Sequence, residues 1–309
     1  MAKILFTENV DPIGPQLLKD AGYEIVMADR NMDVIKEEVK TCVAIVTRIL
    51  DLTPELLATG KNLKVVSKHG VGYDNIPVAW CKEHGIAVTI APGANSQSVA
   101  EHSITLMMAL VKNLAIVTKA YKEIGFAAKN SAPGMEILGK TLGIVGVGHI
   151  GSRVAKMGLG LGMNVIAYDP YVKDMPAGVV RTDDLEEVVR KADVLTLHAL
   201  LNDETRGIIG AKEIGMMKQG AYFINCARGP LVDEPALIKA LQEKKLAGAG
   251  LDVTWDEPCK PDSPLFAMDN VLLTPHYAPT THESAANVSR VCCQNVLDVI
   301  AGKTPEGLL

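Results

Sequence analysis

The chain has 309 residues, 48% of them hydrophobic and 22% charged; such proportions exclude disorder, and the length points to two domains. Its 31 basic and 36 acidic residues leave a net charge of −5, which argues against nucleic acid or an anionic membrane as partner. No apolar run approaches the ~20 residues of a membrane span, and the start, Met1 to Glu8, lacks a signal-peptide core, so a cytoplasmic protein is expected. The six cysteines show no CxxC or Cys/His spacing, so reduced thiols and no metal are expected.

Short runs rich in Val and Ile alternate with segments at helical spacing, the pattern of an α/β chain built on parallel sheets. In chain order, strands are predicted over 4–7, 24–27, 44–47, 64–67 and 87–90, with helices from Pro12 to Gly22, over 53–57 and over 77–84. A long helix over 98–113 carries an apolar stripe, which suits either burial in the monomer or a dimer contact. After a stretch holding Gly, Ser and Pro, a second series of strands is predicted over 141–145, 164–168, 193–197, 222–225, 248–252 and 271–273, then a last helix over 283–300. Six strands with intervening helices suit a doubly wound nucleotide-binding domain.

Gly146-Val147-Gly148-His149-Ile150-Gly151 follows the strand 141–145 and opens a helical stretch. Such a glycine turn alone is weak evidence, but Asp169 ends the next predicted strand, and together these make the dinucleotide fingerprint. Gly146 permits the tight turn, Gly148 lets backbone approach a pyrophosphate, and Gly151 allows close helix-sheet packing. The amides around His149 and Ile150 then face phosphate charge at a helix start. Asp169 suits the ribose hydroxyls of adenosine and repels a 2′-phosphate, which favours NAD over NADP. Its alternative is a turn residue before Pro170.

Three further strand ends carry polar residues: Asn225-Cys226-Ala227-Arg228-Gly229, Asp252 through Glu257-Pro258, and Thr274-Pro275-His276. With the glycine turn, with Gly70-Val71-Gly72-Tyr73-Asp74-Asn75-Ile76 and with Pro92 through Glu101, they give nearly the whole chain a resemblance. It resembles the D-isomer-specific 2-hydroxyacid dehydrogenases, most closely their phosphoglycerate dehydrogenase branch.

The resemblance implies hydride transfer between nicotinamide C4 and C2 of a 2-hydroxy or 2-oxo acid. It implies that His276 moves the proton, that Glu257 holds the other ring nitrogen, and that Arg228 grips the substrate carboxylate. Cys226 and Ala227 would line the nicotinamide and Asp252 would orient its carboxamide. Backbone at Val71 and Gly72 would take the substrate carboxylate. Lys68, where the phosphoglycerate branch usually has Arg, would contact an anionic tail or face solvent. The sequence departs from the family after His276, where Tyr277-Ala278-Pro279-Thr280 replaces Ile-Ala-Gly or Leu-Gly, and it lacks the Gly-x-Trp signature before the fingerprint.

The resemblance further implies a Rossmann NAD-binding domain, 99–282, inserted in a flavodoxin-like substrate domain, 1–98 with 283–309, and a homodimer. 3-Phosphoglycerate leads as substrate, with hydroxypyruvate and glyoxylate next. Formate dehydrogenase is less similar, having Gln where Glu257 stands. An NAD-sensing corepressor, similar to C-terminal-binding proteins, is the alternative from outside enzymology.

Overall fold

In the computed structural model, which describes every residue from Met1 to Leu309, two units separate: Met1–Asn95 with Pro279–Leu309, and Ser96–Ala278. In the first, β1 (Lys3–Phe6), β2 (Glu24–Met27), β3 (Ala44–Thr47), β4 (Val65–Lys68) and β5 (Ala87–Thr89) make an all-parallel sheet in the order β2-β1-β3-β4-β5. That is the flavodoxin-like winding. β3 and β4 are buried along their whole length, which explains why, up to Lys68 at the end of β4, they hold only apolar or small residues in a sheet covered on both faces. Around them lie α1 (Ile13–Asp20), α2 (Met32–Glu38), α3 (Pro54–Leu57) and α4 (Val78–Glu83). α2 was absent from the expected helices; Asn31 caps it by accepting from the amides of Asp33 and Val34.

The second unit begins with α5 (Ser96–Val111) and α6 (Leu114–Ile124). There follow β6 (Thr141–Val145), α7 (Gly151–Gly160), β7 (Asn164–Tyr168), β8 (Val179–Thr182), α8 (Leu185–Lys191) and β9 (Val194–Leu197). The unit closes with α9 (Ala211–Met216), β10 (Ala221–Asn225), α10 (Glu234–Gln242), β11 (Leu246–Leu251) and β12 (Val271–Leu273). Its sheet, again parallel throughout, has seven strands in the order β12-β11-β10-β9-β6-β7-β8, one more than expected. The added strand is β8 at the sheet edge. Val180 and Arg181 there are exposed, so it carries neither an apolar run nor alternation. The strand order reverses between β6 and β9, the Rossmann switch point that opens a crevice at the strands' carboxyl ends.

Of the two readings of the long helix, burial in the monomer is the one that α5 displays. Its apolar side is buried within the unit, and it lies close over β11 because Gly250 and Gly248 stand beneath Leu106 and Leu110. The helix stops where Asn113 takes a left-handed φ of 50°, a conformation that asparagine tolerates. α6, beyond that break, has no buried residue and exposes Leu114, Tyr121 and Ile124. No single helix is long and apolar enough to cross a membrane.

α11 (His282–Ile300), capped by the Thr281 hydroxyl on the Ser284 amide, returns the chain to the first unit. There Gly14 of α1 lets the helix approach so closely that any Cβ would strike Ser289 and Cys293.

Candidate active site

The glycine turn leaves β6 directly. Gly146 has φ 91°, and a Cβ on it would lie 2.6 Å from the Ala199 nitrogen, just past β9. A Cβ on Gly151 would overlap the Gly146 carbonyl oxygen. These two glycines are therefore demanded by the fold itself. Gly148 is different: its φ is not left-handed and nothing lies within 4 Å of a Cβ placed there. The open space in front of it, with the amides of Gly148, His149 and Ile150 bonded to no other group of the chain, fits a dinucleotide pyrophosphate at the start of α7.

Asp169, nearly buried at the end of β7, takes the turn role that was its alternative reading. Oδ1 accepts from the amides of Tyr171 (2.9 Å) and Val172 (3.0 Å), a turn; Oδ2 accepts from the Val147 amide at 2.7 Å and so ties β7 to the glycine turn. A carboxylate has about four acceptor sites, which leaves capacity for a ribose hydroxyl. His198 beyond β9 was no candidate; its buried ring bonds the Thr196 hydroxyl, and burial pushes its pKa down to about 3, so it is neutral.

At the end of β10, the wholly buried Asn225 closes the next loop on itself. Its Nδ2 donates to the Arg228 carbonyl (2.9 Å) and its Oδ1 accepts from the Ala227 amide (3.0 Å), which fixes the backbone that presents Arg228. The Arg228 Nη1 donates to the Ala227 carbonyl at 2.8 Å. Cys226 is buried beside Ser103, and burial pushes its thiol up to about 12; it is protonated and not a nucleophile. Asn225 belongs to the sequence motif but was not singled out, and the signal for it was a polar residue at the last position of an apolar strand.

The loops after β11 and β12 meet. Asp252, its side chain shut off from solvent, accepts from the Thr274 hydroxyl (2.5 Å) and the Tyr277 amide (2.7 Å) on Oδ1, and from the Ala278 amide (2.9 Å) on Oδ2. Its carbonyl accepts from the His276 amide at 2.8 Å. This carboxylate is thus spent chiefly on holding the loop of residues 274–278. His276 sits in that loop with φ 52°, a strained conformation of the kind that gathers at functional sites. Its Nδ1 lies 2.9 Å from Glu257 Oε2, both side chains about two-fifths exposed, and its Nε2 is bonded to no group of the chain. Histidine and carboxylate, distant in sequence, are brought into the expected pair. Such a pair fixes the tautomer and leaves Nε2 to exchange a proton with a ligand.

The remaining candidates lie in the first unit. Lys68, at the end of β4, is buried rather than solvent-facing; its Nζ donates to the Arg48 carbonyl and to Asn75 Oδ1, and Asn75 Nδ2 donates to the Leu50 carbonyl at 2.7 Å. It braces the loops after β3 and β4 against each other. Between Lys68 and Asn75, the amides of Val71 and Gly72 donate to no group of the chain, a geometry open to a carboxylate.

Residues 104–278 match the D-isomer specific 2-hydroxyacid dehydrogenase NAD binding domain. The chain is 38% identical to a D-3-phosphoglycerate dehydrogenase of Methanocaldococcus jannaschii, across 100% of this chain and 59% of that one. It is 40% identical to a hydroxypyruvate reductase of Thermotoga maritima, across 84% of each. Among solved structures, a D-lactate dehydrogenase from Aquifex aeolicus, complexed with NAD and lactic acid, superposes with a TM-score of 0.87 at 34% identity, covering 97% of this chain and 96% of that one. The chain spans between 55% and 59% of the length of three phosphoglycerate dehydrogenases it matches. Fold, glycine turn and domain match agree, and the chain belongs to the D-isomer specific 2-hydroxyacid dehydrogenase family, whose cofactor is NAD.

Proposed function

We propose that the chain is an NAD-dependent D-2-hydroxyacid dehydrogenase, with 3-phosphoglycerate as leading acid and hydroxypyruvate and glyoxylate as the alternatives. The observation that carries the reading is the His276–Glu257 pair with Nε2 left unbonded, in the unit that also holds the glycine turn. In this reading the unit Ser96–Ala278 takes NAD and the other takes the acid.

When bound, NAD supplies the hydride donor or acceptor carbon. The chain's part is to position and to move the proton. In one unit the amides of Val71 and Gly72 are open to a carboxylate; in the other, Arg228 offers its planar fork to a carboxylate and polarises the carbonyl oxygen, and His276 Nε2 gives that oxygen its proton. Glu257, anionic beside Nδ1, stabilises the imidazolium before transfer. In oxidation the same nitrogen takes the hydroxyl proton. Asp169 contacts the ribose, Cys226 and Ala227 line the nicotinamide side, and Asp252 uses its remaining acceptor capacity on the carboxamide. Lys68 orients the acid-binding loop from beneath. Cytoplasmic residence and a homodimer belong to the same proposal, and for the latter the exposed apolar residues of α6, not the buried stripe of α5, supply the surface.

The test follows NADH absorbance with 3-phosphohydroxypyruvate, hydroxypyruvate and glyoxylate. Saturable oxidation with at least one acid is expected, and its absence with all three, under conditions where NADH binds, ends the proposal. A separate expectation concerns Gly148→Ala. Because the added methyl meets no protein atom, the melting temperature should stay within a few degrees, whereas NAD affinity should fall by about tenfold or more, ~1.4 kcal/mol. Calorimetric titration checks it; unchanged affinity would show that the space in front of Gly148 is not where the pyrophosphate lies.

A further inference from the structure

His102 belongs to none of the fingerprints above. It lies on α5, three-quarters buried or more, and its Nε2 is 3.0 Å from the Thr274 hydroxyl and 3.5 Å from Asp252 Oδ1. The Thr274 hydroxyl has one proton, and that proton goes to Asp252 Oδ1, 2.5 Å away. Toward His102, therefore, Thr274 is an acceptor, and His102 Nε2 is a donor. The direction of the network follows: His102 N–H to Thr274, Thr274 O–H to Asp252, and Asp252 as the end acceptor for the Tyr277 and Ala278 amides. A second tie from the same helix reaches the same loop, since the Ser98 hydroxyl donates to the Ala278 carbonyl at 2.6 Å. The His102 ring also stands edge-on to Tyr277, centroids 5.9 Å apart.

Residues 277 and 278 immediately follow His276, whose backbone is held at φ 52°. A left-handed histidine relaxes unless its surroundings over-determine it, and here the restraint comes from Asp252 on the carboxyl side. We propose that His102 is a positioning residue for His276: from α5 it fixes the Thr274–Asp252 pair, and through it the backbone that aims the imidazole. Tyr277-Ala278, at the place where the sequence departs from the family, is the part of the loop that receives this restraint. The inference rests on the dehydrogenase reading only for its kinetic consequence; the backbone consequence stands apart from it.

The test compares His102→Leu, which loses the donor, with His102→Gln, which keeps an N–H on a side chain of similar reach, in the full chain. Amide hydrogen exchange reads the restraint without turnover. Exchange at Tyr277 and Ala278 should quicken by about tenfold in His102→Leu, the worth of one buried hydrogen bond, and stay near wild type in His102→Gln. With an acid that the wild type reduces, kcat should fall by about tenfold in His102→Leu with KM for NADH within about twofold, and His102→Gln should recover it. Wild-type exchange at both amides in His102→Leu overturns the proposal, as does equal damage in the two variants or acceleration spread evenly over the unit. A wild type that reduces no acid refutes the dehydrogenase reading instead, and the exchange result still decides the role of His102.

Discussion

Replacing His276 by alanine should lower kcat for reduction of the 2-oxo acid by about 10² to 10⁴, the range for a positioned general acid or base, with NADH affinity little changed. The expectation rests on geometry. His276 Nδ1 is engaged by Glu257, so Nε2 alone faces outward, and no other imidazole in the loop is placed to substitute. Alanine leaves Glu257 without its partner but touches none of the glycine-turn amides. Backbone strain is a separable cost, because position 276 has φ 52° and alanine tolerates that region less well than histidine or asparagine. His276→Asn therefore serves as the companion: it accepts the backbone and still lacks the acid. Both variants should lose turnover alike, while only the alanine variant should also lose stability, by about 1 kcal/mol. Turnover equal to wild type in either variant removes His276 from the chemistry. Loss in the alanine variant alone assigns the effect to loop shape.

What was readable beforehand divides by distance along the chain. The glycine turn and the buried strands are local features, in which a residue's neighbours in sequence are also its partners in space. So the central strands appeared near their observed places. β8 escaped because an edge strand with Val180 and Arg181 in solvent has little apolar signal to show. α2 escaped although Asn31 and the spacing of Ile35 and Val39 announced it. The long helix stops at Asn113 as read, where a left-handed residue interrupts an apolar pattern that continues past it. At the site, resemblance named Arg228, Glu257 and His276, but nothing in the spacing of 257 and 276 tells that the two side chains meet at 2.9 Å; that depends on β11 and β12 lying side by side. The same holds for Lys68, whose partners Arg48 and Asn75 come from loops after β3 and β4, and for His102, which is invisible until α5 is laid over the strand ends.

Gly229→Ala should abolish most activity and cost stability together, and the reason lies in a single contact between two loops. Gly229 follows Arg228 and has no left-handed φ, so its need for glycine is not conformational. A Cβ there would overlap the Thr254 carbonyl group and come within 2.5 Å of the Trp255 nitrogen. These are backbone atoms, and no rotamer change removes them. Trp255 cannot withdraw freely either, because its amide donates to Glu234 Oε2 at 3.0 Å, at the start of α10. Overpacking of this kind costs about 1 to 3 kcal/mol when the structure yields, and here the only ways to yield are to move the loop that leads to Glu257 or to unwind the turn that begins at Arg228. Either displaces a member of the proposed site, and a misplacement near 1 Å is worth about 10² in rate. Urea unfolding and steady-state kinetics on the same preparation check both parts. Stability lost with kcat unchanged would mean that the two loops give way on the side remote from Glu257 and Arg228, so that their close approach at Gly229 serves the fold without aligning the reacting groups.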